Sequence, residues 1–304
     1  MPNLPSVLVT IVNYNQEKYL EALLPSVLAT EYPNFRVVFI DNASTDKSRE
    51  LLETFNDQRL KKVLLLENLG LCKARNLGAS HEKSCYFAFL DPDVTVTPTW
   101  LQTLVDTMES DPSVGIAESN ILSQISWASS SKERVKLYAL GAAFIVRNKV
   151  WRQLGGFDDD YFVGYDDQDL GWRTWLLGYK VVGVSNSIVY HYPGGLRRGE
   201  LNRFFRYHDF KNRLSSLIKN LELLTFLREI PRIIFMVSAF CLEDFRHKQI
   251  DGISTVFWIL MNLRKLLRKR ASIQKSRRIK DRNIEQLWNP SVRGSLRTSG
   301  RFLW

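Results

Sequence analysis

The chain has 304 residues, 45% of them apolar and 24% charged, with a formal net charge of +10. That composition buries a sizeable core and excludes a disordered, collagen-like or disulfide-stapled chain, and the length fits one catalytic α/β unit plus an appendage. The charge is uneven: residues 1 to 190 carry 18 Lys and Arg against 23 Asp and Glu, or −5, whereas residues 191 to 304 carry 24 against 9, or +15.

The opening residues, MPNLPSVLVTIVNYN, have neither a basic leader nor an apolar stretch with a small-residue cleavage site. Cys72, Cys85 and Cys241 lack the paired spacing of a zinc or redox motif, and their odd number argues against a disulfide framework. Both observations point to a reducing, cytoplasmic setting.

Through the first half, apolar β-branched runs alternate with helical patterns. Strands are predicted at Ser6 to Val12, Arg36 to Ile40, Val63 to Leu66 and Cys85 to Leu90, with helices at Glu17 to Ala29, Asn42 to Phe55 and Gly70 to Ser80 between them. Such near-continuous apolar strands imply a mostly parallel, Rossmann-like sheet with helices on both faces. Ligands of these sheets lie outside the carboxyl ends of the strands, which puts Asn13 to Asn15, Asp41, Asn68 and Asp91 to Asp93 at the site.

Further on, residues Ser123 to Leu137 read as a polar surface loop and Tyr138 to Val146 as a strand. A helix is expected at Asp167 to Leu177, followed by two short strands, Lys180 to Val184 and Ile188 to Tyr190. Beyond Leu214 the pattern becomes long amphipathic helices interrupted by Pro231 and Gly252. Their apolar runs, such as Ile233 to Leu242, fall short of the roughly 20 residues that cross a bilayer. Basic residues beside Leu, Ile, Phe and Trp suit a helix lying on an anionic membrane surface, and equally a helical layer packed on the core. The boundary is drawn between residues 213 and 214.

Three clusters carry chemistry. In Asp91-Pro92-Asp93 the proline pushes Asp91 into extended backbone, so two carboxylates converge at a strand end and suit Mg²⁺ or Mn²⁺ with a diphosphate. In Tyr165-Asp166-Asp167-Gln168-Asp169, Asp166 suits an N-cap and Asp169 the third helical position, which leaves Asp167 either to face the cleft as a general base or simply to favour the positive end of the helix dipole. His191 ends a strand just before Pro193-Gly194-Gly195 and Arg197-Arg198, a combination suited to a metal ligand and a mobile diphosphate clamp.

Taken in order, seven pieces resemble the family 2 glycosyltransferases of GT-A fold, and most closely their bacterial rhamnosyltransferase-like members. They are Val9-Thr-Ile-Val-Asn-Tyr-Asn15, Ile40-Asp-Asn-Ala-Ser-Thr-Asp46, Glu67-Asn-Leu-Gly-Leu-Cys-Lys-Ala-Arg-Asn-Leu-Gly78, Leu90-Asp-Pro-Asp93, Gly155-Gly-Phe-Asp158, Tyr165-Asp-Asp-Gln-Asp-Leu-Gly-Trp-Arg173 and Val189-Tyr-His191. The resemblance implies a GT-A catalytic domain over residues 1 to 213, with the nucleotide sugar in its first ~95 residues and the acceptor side after that. It implies that Asn13, Tyr14 and Asp41 hold the base and ribose, that Arg75 approaches the diphosphate, and that Asp91 meets the ribose or the metal. Asp93 and His191 would hold the metal. Asp167, with Asp166 as the other candidate, would be the base of a single displacement that inverts the anomeric centre. Many relatives have Glu where this chain has Asp166, and many have glycines where it has Lys73-Ala74-Arg75, so a rhamnose donor does not follow.

The implied reaction moves a sugar from a nucleoside diphosphate to a glycan or polyprenyl-linked acceptor in cell-surface polysaccharide synthesis. It takes place at the inner face of the cell membrane, with no nucleic acid as partner. Two other readings compete. A sugar nucleotidyltransferase requires a Gly-rich basic loop after the first strand, where this chain has Val-Asn-Tyr-Asn. A non-catalytic nucleotide-sugar or nucleic-acid binding module explains the basic tail but not the acids at Asp93 and Asp167.

Overall fold

The computed structural model describes residues 4–123, 134–192, 200–285 and 287. The sheet begins with a parallel block, β1 (Val7–Asn13), β2 (Phe35–Asp41), β3 (Leu60–Leu64) and β4 (Tyr86–Leu90), ordered β3-β2-β1-β4. The first two strands are buried at nearly every position, and β4 at all of them. Its register sets Asn13 beside Asp41, and Asp41 beside Leu64, so the polar residues that end each strand share one edge.

The sheet then changes direction. β8 (Ala143–Arg147) pairs antiparallel with β4, and β6 (Val114–Ser123) lies beyond it. Next comes β9 (Lys180–His191), parallel to β6 and flanked by the short antiparallel strands β5 (Val94–Val96) and β7 (Arg134–Lys136). The two short strands expected at 180–190 are one strand. A register shift between Ser119 and Asn120 absorbs the polar break: the Ser119 and Ser187 hydroxyls meet at 2.8 Å, and Asn120 Nδ2 donates to the Ser185 carbonyl at 3.3 Å.

Helices cover both faces. α1 (Glu17–Leu28) and α4 (Trp100–Ser110) pack on one side with Val9, Phe39 and Ile145. α3 (Leu71–Ser80), α5 (Asn148–Leu154) and α6 (Asp166–Leu176) supply Cys72, Ala74, Trp151 and Leu170 to the other. The helix expected over 42–55 is only α2 (Ser48–Glu53), because Asn42 and Ser44 hydrogen-bond within the loops at the sheet edge instead. The third strand lies at 60–64 rather than 63–66, and Leu66 is exposed.

The C-terminal helices are α7 (Glu200–Asn220), α8 (Leu223–Arg246), α9 (Asp251–Met261) and α10 (Leu263–Ser276). The boundary expected after residue 213 falls inside α7, and Leu214 is buried against Trp172 and Leu176 of α6. Pro231 does not interrupt α8, which runs through it, with the ring on an exposed face. Among the described residues no helix is long and apolar enough to cross a membrane.

A buried ionic network fastens this layer to the segment of residues 158–169. Lys219 of α7, 1% exposed, pairs with Asp158 and lies 3.4 Å from Asp169, while Lys269 of α10 pairs with Asp158 and, at 2.7 Å, with Asp160. Asp169 also binds Arg173 at 2.7 Å and accepts from Ser216 and Asn220. Burial alone raises the Asp158 carboxyl, but the two ammonium groups outweigh it and hold the group well below the usual range. A folded pKa below the unfolded one contributes stability above pH ~4 and loses it as pH falls further. Lys219→Met leaves two buried carboxylates short of a partner, so chemical denaturation should show a loss of about 3–5 kcal/mol at neutral pH, with a flatter acid limb. Wild-type stability in this variant would contradict the clamp.

Candidate active site

Outside the carboxyl ends of β1, β2 and β4 lies a cleft of about 1140 Å³. It runs from Tyr14 and Asn15, past Asp91, Asp93 and His191, to Phe204 and Phe205 of α7. Its first rim is two loops tied together. Asn15, at φ 55°, accepts from the Thr45 amide at 2.7 Å, and its own amide donates to Ser44 Oγ at 3.0 Å. Asn42 donates to Asn68 at 2.8 Å and accepts from the Leu69 amide, which joins the loops after β2 and β3.

Tyr14 stands exposed on this rim, but Asn13 and Asp41 lie behind it, fully buried. Asp41 accepts from Arg49 Nε at 2.6 Å, from the Ser44 amide at 3.0 Å and from Asn13 Nδ2 at 3.3 Å. Direct contact with a base or ribose was expected of both. Here their polar atoms brace the loop that carries Tyr14.

Arg75 forms the floor. Gly70, at φ 81°, opens α3 with its Cα hard against Phe162, where an added Cβ would lie 2.7 Å from the ring; this approach sets the helix that carries Arg75. The guanidinium is 1% exposed and donates to Asp166 at 2.9 Å, to Asp91 at 2.6 Å and to the Gly141 carbonyl at 2.8 Å. It also lies 5.4 Å from the Phe157 ring centroid. Desolvation opposes its charge, but Asp91 and Asp166 more than offset that. An arginine expected at the diphosphate is thus committed to two carboxylates of the protein. Asp91, partly buried beside it, is pushed up to about 6 by desolvation, with the Asp93 and Asp166 charges adding to the rise and Arg75 opposing it.

The helix start differs from the capping box expected there. Tyr165 holds the cap position at φ 60°, after Gly164 at φ 79°, and no side chain caps the helix. A left-handed bulky residue is strained, and strain of this kind gathers at functional sites. It turns Asp166, the first helical residue, onto Arg75, and sends Asp169 inward to Arg173. Asp167 faces the cleft, accepting from the Gly141 amide at 3.1 Å and the Gln168 amide at 2.7 Å. Burial first, and the Asp166 charge second, push its carboxyl up to about 8.

Asp93 and His191 come together because Val94 pairs with His191 across β5 and β9; Nε2 lies 3.3 Å from the Asp93 carboxylate. That hydrogen bond raises the imidazole's pKa against the opposing effect of burial. Among the described residues no three His, Cys, Asp or Glu side chains gather in metal-ligating geometry, and Asp91, the third expected ligand, is drawn to Arg75. An imidazole and a carboxylate side by side still suit a divalent cation whose remaining positions are filled by diphosphate and water. Arg197 and Arg198 lie outside the described residues.

Residues that the sequence left unmarked complete the cleft. Residues 138–142, expected in a strand, are irregular, and Glu118 of β6 holds them by accepting from the Leu140 amide at 2.8 Å. Gly141 then meets both Arg75 and Asp167. Phe162, Phe204 and Phe205 form the aromatic far wall.

The comparisons with known proteins agree with this geometry. A family model described as glycosyl transferase family 2 matches residues 8–167. A putative teichuronic acid biosynthesis glycosyltransferase, TuaG of Bacillus subtilis, is 36% identical over 91 residues, 29% of this chain and 36% of that protein; the chain thus matches about a third of this relative's length. Among solved structures, S. aureus TarS 1-349 in complex with UDP superposes with TM-score 0.60 at 18% identity, covering 98% of this chain and 94% of that one. A mannosyltransferase from Pyrobaculum calidifontis, in complex with GDP-Man and Mn²⁺, gives TM-score 0.58 at 17% identity over 95% of this chain and 88% of that one. The fold is GT-A, and the chain belongs to the family 2 glycosyltransferases.

Proposed function

We propose that the protein is an inverting glycosyltransferase that moves a sugar from a nucleoside diphosphate donor to a hydroxyl of a glycan or lipid-linked saccharide, in cell-surface polysaccharide synthesis. One observation carries this reading: Asp167, a carboxylate that lines the cleft and is held there by the Gly141 amide, with burial and the Asp166 charge raising its affinity for a proton. The family's relatives include TuaG, and the solved neighbours bind UDP and GDP-Man. A non-catalytic binding module would use the cleft but has no need of a tuned carboxylate. The Gly141 amide orients Asp167 toward an acceptor hydroxyl, while the Tyr14 loop holds the nucleotide and Asn13 and Asp41 hold the loop. Arg75, which lines the cleft floor, fixes Asp91 and Asp166.

A divalent cation held by Asp93 and His191 would neutralise charge on the departing diphosphate. The solved mannosyltransferase neighbour, with its Mn²⁺, supports that assignment. Both EDTA and Asp93→Ala should therefore abolish transfer, with added Mn²⁺ or Mg²⁺ restoring the chelated wild type only. Full activity of the wild type in excess EDTA would rule this assignment out.

Asp167→Asn keeps size and hydrogen bonding but cannot accept the proton, so turnover should fall by roughly 10² to 10⁴-fold with little change in donor affinity. Asp166→Asn has a different signature, lower thermal stability, since it weakens an ion pair to a buried guanidinium. If Asp167→Asn turns over like the wild type, the base lies elsewhere.

The same carboxyls make a stability prediction. Asp91 and Asp167 hold protons to higher pH when folded than when unfolded, so the ligand-free protein should lose stability as pH rises from about 4 through 8. Asp167→Asn removes the larger part of that slope and should melt at or above the wild-type temperature at pH ~8. Scanning calorimetry across this range decides it, and an unchanged slope in the variant would contradict the raised carboxyl.

A further inference from the structure

α8 is apolar on two opposite faces. Phe226, Ile233, Val237 and Phe240 pack inward against the α6–α7 cluster. Leu224, Leu227, Ile234, Phe235, Leu242 and Phe245 recur at spacings of three, seven and eight along the other side and are exposed, Leu224 and Phe245 each at 81%. α9 repeats the pattern with exposed Ile253, Phe257, Leu260 and Met261, and between Gly252 and Leu263 it has no charged residue at all. Two adjoining helices whose apolar faces have no partner among the described residues exceed the scattered apolar exposure of an ordinary surface.

The charges around these faces have one sign. Arg246 and Lys248 precede α9, and Arg264 and Arg268 follow it, all exposed. The acids of the same region are neutralised within the protein. Asp251 pairs with Arg203 at 2.9 Å and Asp244 with Arg206, both acids buried, while Glu243 lies 3.4 Å from Arg206 and Glu229 3.4 Å from Arg228. Two cations of α10, the exposed Lys265 and the partly buried Lys269, are likewise paired with Asp160 and Asp158. What remains outward is an apolar band bracketed by free-standing basic side chains.

We propose that the outward faces of α8 and α9 lie in the interface plane of an anionic bilayer, their apolar side chains among the acyl chains and Arg246, Lys248, Arg264 and Arg268 at the phosphates. The helices are not apolar enough to span, and burial in the interface needs only one apolar face. A second copy of the chain is a poorer occupant, because an isologous pairing would set the same basic residues against themselves. α7 links this surface to the cleft: Arg203 binds Asp251 at the start of α9, and the next residue, Phe204, lines the cleft wall. The site thereby opens beside the membrane, where a lipid-linked acceptor resides.

Vesicle co-sedimentation of the full chain tests this without any transfer reaction, so its outcome is separate from that of the glycosyltransferase reading. Phosphatidylcholine vesicles containing about a third phosphatidylglycerol should bind the protein. Pure phosphatidylcholine, or salt raised to about 1 M, should bind it much less. The double variant Phe245→Glu with Phe257→Glu changes only exposed positions and should bind about tenfold or more weakly with an unchanged melting temperature; Arg264→Glu with Arg268→Glu should do the same. Binding that ignores both lipid charge and these variants would overturn the proposal. So would a concentration-dependent dimer, seen by analytical ultracentrifugation without lipid, that Phe245→Glu with Phe257→Glu abolishes.

Discussion

The guanidinium of Arg75 sits beneath the cleft between two carboxylates that are far apart in the chain, Asp91 at the end of β4 and Asp166 at the start of α6. A buried cation without its partners costs several kcal/mol, so neither carboxylate can leave while the fold is intact. Joined in this way, the strand that ends at Asp91 and the helix that starts at Asp166 cannot drift independently. Asp167, one residue on, inherits its place from that bond. The Gly141 carbonyl, the third acceptor on Arg75, extends the constraint to the segment before β8. Geometry held by committed charge suits a reaction that depends on donor and acceptor being in line.

Excess positive charge in the last third of the chain has two uses that composition cannot separate. Lys219 and Lys269 are buried or nearly so and bind the acids of residues 158–169, so part of the basic tail belongs to the interior of the molecule. Those pairs hold α7 and α10 against the segment that leads into α6, and they make the appendage a structural support of the cleft. Other arginines and lysines, those around α9 among them, are exposed and left to act at a surface.

Much of the first half was legible because buried parallel strands declare themselves as apolar runs, and the polar residues after β1, β2 and β4 do gather at one edge. The motif order carried the family. What was not legible depended on contacts between distant residues. Asp166 reads as a cap from its neighbours alone, but a guanidinium 91 positions earlier competes for it. Nothing near Arg75 in the sequence shows that its guanidinium is buried between Asp91 and Asp166, or near Asp41 that Arg49 pairs with it. β5 and β7, of three residues each, are too short to show a period, so the register that brings His191 to Asp93 had no local signal.

The irregularity in β9 has a consequence for parity. Val182 and Val184, even-numbered, belong to one core cluster, and beyond the shift so does Val189, odd-numbered. Between them β6 advances by one residue while β9 advances from Val184 to Ile188. The odd surplus inverts which side of the sheet each later side chain occupies. Residues 185–187 take up that odd surplus, and the pairs of Ser123 and Val94 with His191 then fix the side on which the imidazole stands. A change of length confined to residues 185–187 would fall in this unpaired excursion, whereas one between Ile188 and His191 would shift the pairing and carry the imidazole to the opposite face.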